Sequence, residues 1–529
     1  MHEPAPEGAD PPSTHPLGGK TSVALLVMLA LLAVPYFSPR LTRLRVAKLP
    51  WQRAQEETVA VGPAPASSAA LTQGETTLAE SANEGTVTNA LPDQADAVVP
   101  LDPVALAKTK GSLAVEDETG RALDAFYARL HRTKEKTPGA ITRVLHYGDS
   151  VITSDYISGT MRRKLQKEYG DAGHGFILVA NPWEWYFHND VSHSATAGWG
   201  SSRITGPLAK DGVYGLGGVT FKGSPGATAT FGTPKTGDFG RNVSRFDVYY
   251  LEQPQGGDAE MVIGDKVERF STAGDVAVSR KKSFEVPDGE AKATLRVVGN
   301  GPFRAFGVVL ERAGPGIVYD ALGANGARAE LLAGIDAAHW REQMALRDPA
   351  LVILQFGTNE SEAVYMDPRY ETILSGLIDK VKQAAPGASV LVCAPLDRAD
   401  RGPDGNTRTK PIIKRLVAAQ KKVAHEKGVG FWNTYEVMGG EGSMARWVKT
   451  GLGSGDMTHP TPAGAGVIGD RLFNALVSGY EAWVSRHPRG VVTAPTTSAA
   501  PSASSPDAPA ATTSAAPSAS SPDAPPAQP

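Results

Sequence analysis

The sequence predicts an α/β fold with a parallel central sheet, interrupted by an inserted β-sandwich. Residues 141–180 and 317–486 alternate short apolar runs with helical patterns, which is typical of a parallel sheet covered by helices. Residues 181–316 are instead rich in Gly, Thr and Val, with short strand-like runs and no convincing helix. We therefore expect the two outer segments to form one domain that the sandwich interrupts.

Apolar periodicity and turn residues locate the individual elements. The expected strands of the parallel sheet are Arg143–Tyr147, Leu351–Phe356, Ser389–Ala394 and Gly428–Trp432. The expected helices begin near Ala122 and cover Ser154–Glu168, Tyr370–Ala385 and Lys410–Lys427. A last helix opens at Thr461 and Pro462, a favourable N-cap and first-turn pair, and runs to about Val484. The expected sandwich strands are Ala227–Phe231, Arg245–Leu251, Glu260–Ile263 and Ala293–Val298.

Charge and cysteine content exclude several classes of function. With 53 basic and 56 acidic side chains the net charge is -3, so the sequence has no electrostatic signature of nucleic-acid binding. Cys393 is the only cysteine, which excludes an intrachain disulfide and a multi-cysteine metal site. It lies in an apolar run, as expected for a buried strand residue. The histidines lack metal-ligand spacing, and we predict no metal and no cofactor.

The N-terminal part contains a targeting signal after a short tail of residues 1–20. Residues 21–39 carry no charge, and Val23 to Phe37 are almost wholly apolar. No convincing cleavage site follows, so we expect an uncleaved transmembrane anchor rather than a removed signal segment. Only Lys20 precedes the segment closely, whereas several Lys and Arg residues follow it, which by the positive-inside rule favours a cytoplasmic C-terminal side. The composition of the linker and tail instead favours export, with the segment in the inner membrane and the α/β domain in the periplasm or outside.

Two further segments cannot build a core. Residues 40–110 are a linker dominated by Pro, Ala, Ser, Thr, Gly and acidic residues, and residues 488–529 are a Pro/Ala/Ser-rich tail with an internal repeat. We expect both to be disordered spacers. The α/β domain is then divided into residues 111–180 and 317–487, with the sandwich between them.

Gly148-Asp149-Ser150 is the first candidate for catalysis. The tripeptide is common in turns, but here it directly follows an expected strand and precedes an expected helix. A serine in that position is exposed in the crevice where α/β folds bind ligands. The dipole of the following helix favours negative charge developing there.

Asp456 and His459 supply the other two groups that a serine nucleophile needs. Such chemistry requires an imidazole to take the hydroxyl proton and a carboxylate to fix the imidazole tautomer. A turn with Asp and His three positions apart allows a carboxylate oxygen to reach Nδ1 while Nε2 remains available. The chain is therefore predicted to be a hydrolase.

Two further loops offer donors for an oxyanion. Asn359 follows an expected strand in Gly357-Thr358-Asn359, and its amide hydrogen is a suitable donor. On its own this segment is more typical of a β-turn or a helix N-cap. The loop Gly323-Ala324-Asn325-Gly326 has two glycines whose backbone N–H groups approach closely without a side chain in the way. Gly323 and Gly326 both remain candidates.

Along the chain the motifs occur in the order Gly-Asp-Ser, glycine loop, Gly-x-Asn and Asp-x-x-His. This order resembles that of the SGNH, or GDSL-like, hydrolase family. The resemblance implies a flavodoxin-like three-layer α/β/α sandwich. It also implies Ser150 as nucleophile, His459 as base and Asp456 as the residue that orients it. The oxyanion hole would consist of the Ser150 N–H, the Gly326 N–H and the Asn359 side chain.

A narrower resemblance is to bacterial peptidoglycan O-acetylesterases. It rests on His146 to Asp155, on Gly170 to Gly175 and on Met438 to Trp447. In that group a β-sandwich like a carbohydrate-binding module interrupts the esterase domain after the nucleophile. Val151 lies at the position where many relatives have His. This difference does not affect the triad chemistry, but it leaves the identity of the substrate undetermined. We assign Asp149 and Asp155 to structural hydrogen bonding.

The expected function is removal of O-acetyl groups from a cell-envelope polysaccharide such as peptidoglycan. Trp183, Trp185 and Tyr186 would form a sugar-stacking platform, with packing between domains as the alternative. The other open functions are a polysaccharide O-acetyltransferase with the same triad, a lipase, which the aromatic insert makes less suitable, and a non-catalytic glycan-binding envelope protein. The expected partners are the O-acetylated polysaccharide and, through residues 21–39, the membrane, with no nucleic acid. The oligomeric state stays open.

Overall fold

A parallel sheet and two antiparallel sheets account for most strands of the structure. The computed structural model describes residues 112–184, 186–402 and 404–487. The strands, in chain order, are β1 (Ile141–Gly148), β2 (Gly175–Ile177), β3 (Ser192–Ala195), β4 (Trp199–Arg203), β5 (Val219–Gly223), β6 (Thr228–Gly232), β7 (Val243–Glu252), β8 (Asp258–Ile263), β9 (Lys266–Ser271), β10 (Val278–Gly289), β11 (Lys292–Gly299), β12 (Phe303–Glu311), β13 (Gly316–Gly323), β14 (Leu351–Gln355), β15 (Ser389–Cys393), β16 (Ala399–Arg401), β17 (Thr407–Thr409) and β18 (Gly430–Trp432).

Ten α-helices and one short 3₁₀ turn, Glu360–Glu362, complete the described elements. The helices are α1 (Asp124–Lys134), α2 (Ser150–Thr153), α3 (Tyr156–Tyr169), α4 (Ala329–Ala333), α5 (Ala337–Arg347), α6 (Tyr370–Ala384), α7 (Pro411–Glu426), α8 (Thr434–Met438), α9 (Ser443–Lys449) and α10 (Pro462–Arg486). None of these helices combines the length and apolarity needed to span a bilayer. The predicted anchor at 21–39, the linker and the tail lie outside the described residues, as do residues 1–20.

The central sheet has the flavodoxin-like strand order. Its spatial order is β13-β1-β14-β15-β18, and every neighbouring pair is parallel. Counting these strands along the chain gives the order 2-1-3-4-5, whose reversal point lies between β1 and β14. Ligands of such sheets bind at the carboxyl ends of the strands beside that point. Gly148 and Gln355 end these two strands, so the Ser150 and Asn359 segments meet there.

Helices cover both faces of this sheet because its strands bury alternate side chains in two different cores. Val144 packs with α1, α3 and α10, whereas its neighbour Leu145 packs in the core shared by α5, α6 and α7. The second core is continuous with that of the sandwich. Cys393 is buried in β15, as expected, and burial raises the pKa of its thiol. The prediction of an α/β/α sandwich with an inserted β-sandwich is confirmed.

The insert consists of two antiparallel sheets. One has the order β10-β7-β12-β5-β4, with β2 paired to β12, and the other has the order β3-β6-β11-β8-β9. Because β2 joins the first of these sheets, the sandwich begins before the expected boundary at residue 181. The sequence analysis also missed β13, because Asp320 interrupts its apolar run. That carboxylate is fully buried and binds Arg347 of α5 through bonds of 2.5 and 2.9 Å.

A buried network of charges joins the sandwich to the α/β sheet. Glu311, at the end of β12, accepts hydrogen bonds from Arg143 of β1, from Arg245 of β7 and from Arg347. Burial alone would raise the pKa of Glu311, but the guanidinium groups of Arg347 and Arg143 outweigh it and hold the pKa well below its usual range. The carboxylate therefore stays charged, and its pairs with Arg143 of β1 and Arg347 of α5 join the sandwich to the α/β domain.

His146 of β1 makes the stability of the fold depend on pH. Its ring nitrogens lie 2.9 Å from the Tyr319 hydroxyl and 3.0 Å from Gln355 Oε1. Burial lowers the pKa of His146 to about 4, so the folded protein keeps it neutral. Since the unfolded chain takes up a proton near pH 6.5, the stabilisation is present above that pH and is lost as the pH falls towards 4.

We expect His146→Gln to flatten the decrease of unfolding free energy between pH 6.5 and 4. The reason is that one group fewer binds a proton on unfolding in that range, a contribution of at most about 3 kcal/mol. Urea denaturation of both proteins at several pH values measures it. Parallel curves for wild type and variant would contradict the assignment, whatever the absolute stability of the variant.

Candidate active site

Ser150 is the first residue of α2, directly after β1, in a tight turn. Asp149 caps this short helix, and its Oδ1 accepts a hydrogen bond from Val151 N at 3.2 Å. Gly148 has no room for a side chain, because a Cβ there would lie 2.5 Å from Ile152 Cγ1 and 3.0 Å from the carbonyl of Gln355. The glycine thus allows the turn to lie against β14, with the Ser150 hydroxyl partly exposed.

Asp456 and His459 form a compact turn opposite Ser150. One carboxylate oxygen of Asp456 accepts from the backbone N–H groups of Thr458 and His459, at 2.9 and 3.0 Å. The other lies 2.7 Å from His459 Nδ1, and His459 Nε2 lies 2.8 Å from Ser150 Oγ. Burial would raise the pKa of Asp456, but hydrogen bonds from the backbone and ring of His459 outweigh it and lower the pKa.

These hydrogen bonds determine which of the three groups can donate a proton and which can accept one. The ionised Asp456 accepts the Nδ1 proton of His459, which leaves Nε2 as an acceptor for the Ser150 hydroxyl proton. A proton can then move from Oγ to Nε2 while the carboxylate stabilises the imidazolium. The structure therefore brings together the three residues that the sequence analysis selected, although they lie up to 309 positions apart.

The two candidate glycines of the loop after β13 differ in their surroundings. Gly323 ends the strand, and a Cβ there would lie 2.3 Å from Thr153 N, so this glycine serves close packing against α2. Gly326 is exposed, has a φ of +79°, and has no atom within 4 Å of the position a Cβ would take. Of the two, Gly326 lies where a ligand can approach its backbone.

Asn359 is held by the same loop. Its Nδ2 donates to the carbonyl of Ala327 at 2.8 Å, which uses one of the two amide hydrogens and leaves a second donor. The loop itself is tied to the nucleophile turn, because Ala324 N donates to the Gly148 carbonyl at 3.0 Å. Ser150, Gly326 and Asn359 thus belong to three mutually bonded loops at one end of the sheet.

Asp149 and Asp155 make structural contacts, as predicted. The second oxygen of Asp149 accepts from Thr358 N at 3.2 Å and so joins the nucleophile turn to the Asn359 loop. Burial raises the pKa of Asp149 to about 6. Asp155, with a left-handed φ of 52°, forms a bidentate ion pair with Arg162 at 2.8 and 3.1 Å. Neither carboxylate forms a hydrogen bond with Ser150 Oγ or the His459 ring.

Arg398 is a residue of the site that the sequence analysis missed. Its guanidinium donates to Thr458 Oγ1 and to the Thr358 carbonyl, both at 3.0 Å, and it pairs with Glu362. Thr458 lies in the turn between Asp456 and His459, and Thr358 precedes Asn359. One side chain therefore fixes the position of the base relative to the oxyanion loop. An isolated Arg in a loop after β15 gives no sequence signal of this role.

The segment Met438 to Trp447 supports this arrangement. Asp397, next to Arg398, accepts hydrogen bonds from Met444 N at 2.8 Å, from Ser443 Oγ at 3.2 Å and from Thr409 Oγ1 at 2.8 Å. Glycines at 439, 440 and 442 have positive φ and allow the chain to turn around this carboxylate. The motif thus anchors the loop from which Arg398 extends.

We expect Arg398→Ala to lower kcat for a small acetate ester by about 10²-fold, with a smaller change in KM. The reason is that a displacement of about 1 Å of the base or an oxyanion donor weakens the transition state more than it weakens binding. Arg398→Lys should recover only part of this loss, because one ammonium group cannot bridge the same partners. Arg408→Ala is the control, since the Arg408 side chain is 67% exposed and forms an ion pair with nearby Asp404. Equal kcat in Arg398→Ala and the control would contradict this role.

The predicted aromatic platform is corrected by the structure. Tyr186 is only 4% exposed and its hydroxyl accepts from Leu178 N at 2.8 Å, so it is a core residue, and the prediction that it binds sugar is wrong. Trp183 is partly buried against the same core, with the Arg203 guanidinium 5.9 Å from its ring centroid. These contacts favour the packing alternative. Trp185 lies outside the described residues. Phe187, which was not selected, is 46% exposed, and its N–H donates to Thr153 of α2.

Comparisons with known proteins identify the chemistry at family level. Residues 289–467 match the model of the GDSL-like Lipase/Acylhydrolase family. Over this range the chain is similar to GDSL-like lipases and acylhydrolases. The predicted class, a carboxylic ester hydrolase, is therefore confirmed. The matched residues include Gly326, Asn359, Asp456 and His459 but not Ser150, because the match begins at residue 289, just before the last two strands of the sandwich. A comparison with curated proteins finds no match.

A solved structure with a TM-score above 0.5 shares the fold of this chain. One, described as "Peptidoglycan O-acetylesterase in action, 5 min", is 22% identical with a TM-score of 0.59, and the match covers 69% of this chain and 98% of that chain. A family two carbohydrate esterase from Cellvibrio japonicus is 12% identical with a TM-score of 0.23, over 55% and 100% of the two chains. A family two carbohydrate esterase from Clostridium thermocellum with cellohexaose is 13% identical with a TM-score of 0.24, and the match covers 50% of this chain and 95% of that chain.

Among the described residues, no group of three or more His, Cys, Asp or Glu could hold a metal ion.

Proposed function

We propose that this acylhydrolase is a serine esterase that removes O-acetyl groups from a cell-envelope polysaccharide, with peptidoglycan as the first candidate. The observation that carries the proposal is the continuous contact from Asp456 through His459 to Ser150 Oγ, at 2.7 and 2.8 Å. The substrate is supported by the fold likeness to a peptidoglycan O-acetylesterase. The match covers 69% of this chain, which is more than the fraction of the chain that its two α/β segments form.

In the first step the sugar ester acylates the enzyme. Ser150 Oγ forms a bond to the acetyl carbonyl carbon as its proton moves to His459 Nε2. The carbonyl oxygen becomes anionic and accepts hydrogen bonds from the Ser150 N–H, the Gly326 N–H and the Asn359 amide. The bond to the sugar oxygen then breaks, and that oxygen takes the proton from His459. The products are the free sugar hydroxyl and an acetyl ester on Ser150.

In the second step water releases acetate. His459 takes a proton from a water molecule, whose oxygen attacks the acetyl carbon of the acyl-enzyme. The same donors stabilise the second oxyanion, and Ser150 Oγ leaves with the proton from His459. If a sugar hydroxyl replaced the water, the same residues would carry out O-acetyl transfer.

Acetate release from purified, O-acetylated peptidoglycan tests the proposal, with an O-acetylated exopolysaccharide as the comparison substrate. We expect release from peptidoglycan at a higher kcat/KM than from the exopolysaccharide. A preference for the exopolysaccharide would contradict peptidoglycan as substrate. Transfer of acetyl to an added glycan acceptor, without matching free acetate, would instead indicate an O-acetyltransferase. Glycan binding without turnover of any acetyl ester would indicate a non-catalytic binding protein.

We expect Asn359→Ala to lower kcat by about 10²–10³-fold, because one of three oxyanion donors is removed. KM should change little, since the donor acts on charge that develops after binding. Steady-state kinetics on a small acetate ester measure both constants. Asn406→Ala is a suitable control, because the Asn406 side chain donates its hydrogen bond to Asp404, within the turn between β16 and β17. A kcat within twofold of wild type would contradict the role of Asn359.

We also propose that the enzyme works in the cell envelope, anchored by residues 21–39. The uncharged apolar run and the spacer-like linker and tail support this location. Protease treatment of intact spheroplasts tests it, because an exported catalytic domain is cleaved from outside and a cytoplasmic one is protected.

A further inference from the structure

A cavity of about 480 Å³ lies beside the two loops that carry the proposed oxyanion donors. We call it the side cavity. Arg328 and Glu330 form one part of its wall, two and four positions after Gly326. Glu360 forms another part, directly after Asn359. Two hydrogen bonds join these segments, from Asn359 Nδ2 to the Ala327 carbonyl at 2.8 Å and from Ala329 N to Glu360 Oε1 at 2.9 Å. The side cavity is thus built on the same loops as the candidate active site.

Glu360 lines the side cavity and has one carboxylate oxygen without a hydrogen-bond partner in the part of the chain that the structure describes. Its Oε1 is bonded to Ala329 N, but Oε2 is buried and has no hydrogen-bond partner among the described residues. Burial raises the pKa of Glu360 to about 7, and the nearby Asp149 carboxylate adds to this effect. Near neutral pH the group can therefore either donate or accept a hydrogen bond. A buried polar atom of this kind costs free energy until a ligand or water satisfies it.

The remainder of the wall combines apolar and aromatic surface with charges. Met366, Ile373 and Leu416 supply apolar contacts, and Asp367 adds a carboxylate. Tyr365 also lines the side cavity and is 76% exposed, so its ring forms the outer edge. The volume falls within the range of sites for small ligands, which are mainly apolar with a few polar groups.

We propose that the side cavity binds a pyranose unit of the polysaccharide, next to the unit whose acetyl group is removed. The proposal rests on the proposed function and names the position at which a neighbouring sugar is held. A sugar ring has apolar C–H faces that fit the Tyr365 ring and hydroxyl or amide groups that can bond to Glu360 Oε2. A long acyl chain fits less well, because it would bury Glu330, Glu360 and Asp367 against hydrocarbon.

The test compares a polymeric with a small substrate. We expect Tyr365→Ala and Glu360→Gln each to lower the ratio of kcat/KM for O-acetylated peptidoglycan to kcat/KM for a small chromogenic acetate ester by about tenfold. Glutamine keeps an acceptor for Ala329 N, and Tyr365 is exposed enough for the alanine variant to fold. Thermal unfolding confirms folding. Val364→Ala is the matched control, because Val364 is 79% exposed and does not line the cavity.

Three outcomes would overturn the proposal. The first is an unchanged ratio in both variants. The second is a preference of the wild type for longer acyl esters that Tyr365→Ala abolishes, because the side cavity would then hold an acyl chain. The third is a wild type that releases no acetate from any glycan, which defeats the proposed function and is recognised before a variant is made.

Discussion

Replacing Ser150 with alanine is expected to lower kcat for acetate-ester hydrolysis by roughly 10⁴- to 10⁶-fold, the loss found when a serine nucleophile is removed from a triad. Ser150 Oγ is the atom that would form the acyl bond, and it lies 2.8 Å from His459 Nε2. The oxyanion donors would remain in the variant, so a low residual rate above that in water is expected.

Ser154→Ala is the matched control for this prediction. Ser154 is the C-cap residue of the same short helix and has no place in the proposed mechanism. Its alanine variant should therefore retain wild-type kcat. A Ser150→Ala protein that keeps its activity on a chromogenic acetate ester would contradict the assignment of the nucleophile. Equal losses in both variants would point to disruption of the helix rather than of the chemistry.

Replacing Arg347 with alanine is expected to lower the free energy of unfolding by about 3–5 kcal/mol. Arg347 is 2% exposed and binds both Asp320 of the sheet and Glu311 of the sandwich. Its removal leaves Asp320 with the hydrogen bond from Phe176 N, at 2.8 Å, and with a buried charge that no cation balances. Glu311 keeps Arg143 and Arg245, so most of the cost arises at Asp320.

Arg280→Ala is the control, because it measures the change in unfolding free energy when an exposed arginine is removed. Arg280 is 53% exposed in its pair with Glu252, and exposed pairs contribute about 0–1 kcal/mol. Denaturant unfolding of the three proteins measures the difference, provided that each unfolds in one transition. A loss below about 1 kcal/mol in Arg347→Ala would show that the network joining sandwich and sheet adds little stability.

The parts of the fold with local signals could be predicted from the sequence. Buried strands such as β14 and β15 are short apolar runs, and the N-cap of the last helix at Thr461 follows from side-chain chemistry. The strand β13 was missed because Asp320 is stabilised by Arg347, which lies 27 positions later. A polar residue that is paired at long range cannot be distinguished from a loop residue by its neighbours.

The presence or absence of a local signal also decides which site residues could be predicted from the sequence. Ser150, Asp456 and His459 could be selected because their chemistry requires those residue types in short motifs. The role of Arg398 depends on partners up to 60 positions away, in loops that only the fold brings together. Tyr186 shows the opposite error, because an aromatic residue suited to sugar binding lies in the core instead.

The most direct test of the account is mass spectrometry of the enzyme quenched during turnover of an activated acetate ester. With such a substrate the first step is fast, so an acyl-enzyme accumulates if water attack is slower. The account predicts one added acetyl group on the peptide that contains Ser150, and none in Ser150→Ala. Hydrolysis that continues with the acetyl group on another residue, or with no acetylated enzyme and full activity in Ser150→Ala, would contradict it.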